Sequence, residues 1–288
     1  MKKQYIILLY ILLIALLPAC SDDADIDEVA YEPRVVVEGY IENGKYPIVL
    51  LTVSASITGP TDTLSLLSHV IKSAKVSVSD GTNTEVLLLQ TNNNKIPPYE
   101  YIGLEMKGEV GKTYELKVEY QNKVISSTTY IPQPIELDDI WFVRNSPTDT
   151  LGYIHVTFNN TSKEYYQIAT QLLQSEKLYT PCLFGNINSK SYPRDEQVSM
   201  QINKGPILYP KKDFSTDFSI NSTVRLRFST QSEVSYKFWS TYQNEILNTQ
   251  NPIFPANTSL ASNINGGIGI WCGLGSYEYN VVLKDVER

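Results

Sequence analysis

Along much of the chain apolar and polar positions alternate with a period of two, the signature of half-buried strands. Arg34 to Ile41 alternates in this way, Glu42-Asn43-Gly44-Lys45 reads as a hairpin turn, and residues 47–56 read as the return strand. Ala74 to Ser79, Thr84 to Leu89, Tyr99 to Ile102, Thr113 to Tyr120 and Val124 to Tyr130 repeat the pattern. Asp80-Gly81, Gly108 to Gly111 and Asn122-Lys123 supply turns, and residues 58–62 and 90–98 are loops. About seven short strands within about 100 residues predict an immunoglobulin-like antiparallel β-sandwich over residues 34–132. Pro132-Gln133-Pro134 is a stiff link and the natural boundary to a second, β-rich domain over residues 133–288. Its strands are expected at 152–158, 164–173, 223–229 and 277–283, with an irregular connection over 179–222. The period changes once. Val234, Phe238, Tyr242 and Ile246 recur every four residues behind Ser232, so one helix is expected near 232–248, with Trp239 alongside. Its aromatic stripe reads as a core face. The fold class is mainly β.

The first residues follow a different logic. Lys2 and Lys3 precede an unbroken apolar run over residues 5–17, shorter than the roughly 20 residues a spanning helix needs. Residues 1–19 therefore read as an export signal and stand outside the fold. Leu17-Pro18-Ala19-Cys20 resembles a bacterial lipobox, which makes Cys20 the lipid-attachment residue and the first of the mature chain. Asp22, Asp23, Asp25, Asp27 and Glu28 repel one another, so residues 20–33 are expected to be a solvated acidic tether. An acidic stretch directly after a lipidated Cys resembles the surface-export signal of Bacteroidetes lipoproteins. The expected location is the outer membrane, lipid-anchored and facing outward.

Composition narrows the chemistry. The 288 residues include 20 Tyr but only 2 His and 3 Cys, and the net charge is −7. An acidic balance without a basic cluster excludes nucleic acid as an expected partner. With Cys20 lipidated, Cys182 and Cys272 leave two readings open, a disulfide or two buried thiols. His69 and His155 lie in or beside strands and read as strand residues rather than ligands or bases. Asp138-Asp139 reads as a turn, since neighbours on a strand point to opposite faces and make no facing pair. The glycines at 266, 267 and 269 lack the strand-turn-helix setting of a phosphate loop and read as a tight turn or close backbone packing. Asp62-Thr63-Leu64 and Asp149-Thr150-Leu151 resemble an O-glycosylation acceptor of exported Bacteroides proteins, with Thr63 and Thr150 as the acceptors. No catalytic constellation, metal site or cofactor motif emerges.

Four stretches taken together carry a family likeness: Val35 to Ile41, Ala74 to Gly81, Gly111 to Leu116, and the ending Asn263 to Trp271. In this order they resemble a large Bacteroidetes lipoprotein family catalogued as a domain of unknown function, over residues 30 to about 275. Such families are often encoded beside TonB-dependent outer-membrane transporters. The resemblance implies a non-enzymatic accessory that binds a ligand or partner for such a transporter, and it brings no catalytic residues or cofactor. A structural adhesin or envelope-assembly lipoprotein is the alternative, and a glycan-active hydrolase the weaker third. A binding surface is expected in 179–212 and on exposed Tyr residues.

Overall fold

The computed structural model describes residues 32–54, 67–95, 97–162, 164–205, 215–249 and 260–285. The export signal, Cys20, most of the tether, the 58–62 loop and Thr63 lie outside the described residues.

The strand pattern of the first segment is realised as β1 (Val35–Glu42), β2 (Ile48–Val53), β3 (Lys75–Ser79), β4 (Thr84–Val86), β5 (Leu88–Thr91), β6 (Tyr99–Ile102), β7 (Thr113–Tyr120) and β8 (Lys123–Tyr130). The second segment contributes β9 (Asp139–Arg144), β10 (Leu151–Asn159), β11 (Tyr165–Leu172), β12 (Thr180–Asn188), β13 (Gln197–Ile202), β14 (Phe218–Ser219), β15 (Thr223–Gln231), helix α1 (Glu233–Thr249) and β16 (Ile268–Val282). The protein is mainly β, as its alternation predicts.

Two departures have clear causes. The single strand expected at 84–89 is two, because Leu87 turns inward, is buried, and donates its N–H to the Val76 carbonyl. β4 on one side pairs with β3, and β5 on the other pairs with β6 in a different sheet. The connection expected to be irregular over 179–222 instead carries β12, β13 and β14. Pro181, Gly185 and four Asn obscure its alternation, yet Cys182, Ile187, Val198 and Ile202 all turn inward.

One long sheet runs in the order β12-β11-β15-β16-β1-β2-β6-β5, and two four-stranded sheets, β4-β3-β7-β8 and β13-β10-β14 with β9, complete the fold. β16 joins the two halves of the long sheet. It is antiparallel to β15 through residues 275–282 and parallel to β1 through 268–274. The expected boundary at Pro132-Gln133-Pro134 is therefore crossed by the last strand, and residues 33–288 form one compact unit. The cores nonetheless stay separate. Val37, Leu51, Val118, Ile125 and Trp271 fill the first, and Phe158, Tyr166, Leu226 and Phe228 fill the second.

Alternation along β16 sorts the layers. Trp271 faces the first core and Tyr279 and Val281 face the second, whereas Ile270, Cys272 and Leu274 face a third cluster with Phe238 of α1. Both small sheets thus cover one face of the long sheet and α1 lies on the other. Two glycines make these approaches. A Cβ on Gly39 would stand 2.8 Å from the Trp271 ring, so the bare position in β1 is what admits the indole. Gly269 has φ +113°, and a Cβ there would lie 1.9 Å from the Val37 carbonyl oxygen. The glycine-rich ending is thus close backbone packing at the start of β16. Ser232 caps α1 as its position predicts, accepting from the Ser235 N–H at 3.3 Å. No helix among the described residues is long and apolar enough to cross a membrane.

Candidate functional site

The face of the long sheet that carries α1 is only partly covered by it. β1 sends Glu38 and Tyr40 to this face, β15 sends Arg225 and Arg227, and β11 sends Gln167 and Gln171. Their alternate neighbours Val37, Leu226 and Ile168 point into the cores. α1 adds Trp239 and Tyr242, the turn that follows β5 adds Lys95, and the turn before β12 adds Tyr179. Together they enclose a cavity of about 620 Å³. A side pocket of about 50 Å³ shares Gln167, Pro181, Trp239 and Tyr242 with it, and continues to Cys182 and Asn186 beneath the helix.

The charges of the cavity are braced from behind. Glu42, at 2% exposure, accepts from Arg227 Nη1 at 3.2 Å and Lys45 Nζ at 3.1 Å. Lys45 also reaches Glu278. The Arg227 guanidinium lies 4.5 Å over the Tyr179 ring. Desolvation alone would raise the Glu278 carboxyl, but Lys45, Tyr179 and Arg227 hold it below its ordinary value. On the other flank, buried Glu100 pairs with Lys95 and accepts from Asn92 Nδ2 at 2.8 Å. Desolvation works against the Lys95 ammonium, yet Tyr40 and Glu100 outweigh it and raise its pKa.

Glu38 has no such brace. Its side chain is exposed to solvent on the cavity lining. Desolvation raises its pKa, Lys95 opposes this, and Glu100 adds to it. A carboxyl raised in this way holds its proton more tightly in the folded chain than in the unfolded one. Stability is then lost as pH rises from the ordinary value of 4.5 through the folded value. Glu38→Gln is therefore expected to raise the thermal midpoint at neutral pH, with the gain shrinking in acid. A gain that does not change with pH would contradict this reading.

The residues singled out from the sequence fall elsewhere or at the margin. Cys182 and Cys272 are both buried and free, so this pair stands as two thiols and not as a disulfide. Burial pushes the Cys182 thiol up to about 12 and that of Cys272 up to about 11. Neither is expected to react with iodoacetamide at pH 8 in the folded protein, and both should react on unfolding, which peptide mass mapping will read. His155 lies in β10 and stacks on Trp141 at 4.3 Å, and His69 lies in a turn beside Ser68. Asp138 accepts from Gln197 Nε2 at 3.2 Å and Asp139 opens β9, so this pair stands at a strand start rather than in a turn. Thr150 is exposed in the turn before β10. Among the described residues no group of three or more His, Cys, Asp or Glu could hold a metal ion.

Of the stretch expected to bind, Tyr179 and Pro181 do line the cavity. Phe184, 71% exposed, stands well out of the surface. The helix stripe divides. Phe238 packs in the third cluster as expected of a core face, while Trp239 and Tyr242 wall the cavity. Glu38, Lys95, Arg225 and Arg227 carried no sequence signal as site residues, because each sits in an ordinary strand or loop.

A family model described as a domain of unknown function, DUF4249, matches residues 22–279. The chain belongs to this family. The match spans all sixteen strands wholly or in part, and α1. None of the curated proteins compared matches the chain.

Proposed function

We propose that this chain is a non-enzymatic, lipid-anchored surface lipoprotein that binds a ligand for a TonB-dependent outer-membrane transporter. Cys20 carries the lipid and the acidic residues behind it form the tether. The observation that carries the binding role is the cavity of about 620 Å³ between the long sheet and α1. It has the size and the mixed lining of a small-molecule site, with aromatic walls and a few converging polar groups. The family likeness read from the ordered motifs supplies the transporter.

The test is crosslinking of intact cells that carry a C-terminally tagged native protein. A TonB-dependent barrel recovered in near-stoichiometric amount is the expected outcome. Recovery of only the protein itself, or of matrix or assembly proteins, would replace this reading with the alternative of a structural adhesin or envelope-assembly lipoprotein. One observation favours that alternative. β5 ends the long sheet with its outer edge unpaired among the described residues, and Leu88 and Leu89 beside Val86 are exposed there.

A further inference from the structure

The lining of the cavity is specific in its chemistry. Lys95, Lys177, Arg225 and Arg227 face a single lining carboxylate, Glu38, in a chain whose net charge is −7. An acidic protein that gathers four cations around one concavity offers charge partners for an anion there. Lys95 and Arg227 are already engaged by Glu100 and Glu42. Arg225 is not. Its Nε donates to Asn280 Oδ1 at 3.2 Å, and it meets no carboxylate among the described residues.

A second observation is independent of charge. Gln167 is only 4% exposed and lines both the cavity and its side pocket. Its Nε2 is buried without a hydrogen-bond partner among the described residues, and so is the Nε of Arg227. A buried donor without an acceptor is costly, because it has lost its bond to water and gained none in return. Two such donors on one wall are what a site looks like before its acceptor arrives. The register places them together. Gln171 pairs with Arg225 and Ala169 with Arg227, so the Gln and Arg side chains alternate onto the same face of adjacent strands.

We infer that the cavity binds an organic carboxylate whose head group meets Arg225, Arg227 and Gln167 and whose small apolar substituent enters the side pocket between Pro181 and Trp239. This deepens the ligand-binding reading and rests on it. Arg is suited to the head group because its planar fork matches a carboxylate. The side pocket is too small for an aromatic ring and suits a methyl or a short branched group. The carboxylate is either the C-terminus of a short peptide or a free organic acid.

The test is titration calorimetry on the full chain in detergent at low salt. The probes are N-acetyl-alanine for a peptide end, butyrate for a free acid, N-acetyl-alanine amide as the uncharged match, and maltose as a neutral ligand. At least one carboxylate is expected to bind at least about tenfold tighter than the amide. The tighter of the two identifies the source. In Arg225→Gln and in Gln167→Leu this preference should fall to near unity. Gln167→Leu should keep or raise the thermal midpoint, because it removes a buried donor without a partner. That combination separates a binding residue from a structural one. Equal or tighter binding of the amide or of maltose would overturn the carboxylate while leaving the cavity a ligand site. No binding by any probe at 10 mM, a ceiling set by about −2.7 kcal/mol of affinity, would overturn the inference and remove the cavity from the proposed function.

Discussion

Trp271→Ala is expected to destabilise the protein by about 3–5 kcal/mol, the range for deleting a large buried aromatic side chain. Trp271 is at 0% exposure in the first core and is among the largest fully buried side chains. Its Nε1 donates to the Tyr114 carbonyl at 3.1 Å, which ties β16 to the opposing sheet. Its own backbone is held by Asn263, whose Oδ1 accepts from the Trp271 N–H at 2.9 Å and whose Nδ2 donates to its carbonyl at 2.8 Å. At roughly 2–4 °C per kcal/mol for a domain of this size, the midpoint should fall by at least about 6 °C. Gly39 offers an internal control. Gly39→Ala in the parent is expected to cost about 1–3 kcal/mol, because its methyl group would press on the indole. In the Trp271→Ala background the same methyl enters the vacated space and should cost clearly less. Additive losses would mean that the two positions do not share that space.

Arg227→Ala is the second large loss, about 3 kcal/mol by chemical denaturation, the lower end of what breaking a buried ion pair costs. Glu42 is almost fully enclosed, and Arg227 is its more buried partner. The loss stays at the lower end because Lys45 remains beside the carboxylate. Glu42→Gln combined with Arg227→Gln should cost less than the two single changes added together, since neither then leaves a charge unpaired. A loss below about 1 kcal/mol for Arg227→Ala would class the pair with solvated surface bridges.

The sequence made individual strands legible where side chains sort by burial along one strand, as in β1 and β7. It could not say which sheet a strand joins. Thr84 to Thr91 reads as one strand and a loop because nothing in its alternation marks the inward turn of Leu87 that passes the chain between sheets. β16 was legible only in its second half. Its first half is glycine-spaced, and glycine carries no side chain with which to show a period. The cavity was the least legible feature. Its polar residues belong to β1, β11, β15 and a loop, so no local spacing records that Glu38, Gln167 and Arg225 share a face. Trp239 was noticed beside the helical stripe, but only the sheet beneath shows that the helix stops short of covering it.

The parallel pairing of Val36 with Ile268 places the first strand beside the last. A chain that emerges N-terminus first holds β1 and β2 as a hairpin with one bare edge until its final stretch arrives. Contacts so distant in sequence slow folding, and bare edges invite pairing with other chains. The order of events is therefore imposed by topology. β9 to β14 can organise around their own strands early, whereas the central sheet closes only at the end. A chain cut short before residue 268 would lose one of the two neighbours of β1 and one of the two neighbours of β15 in a single step.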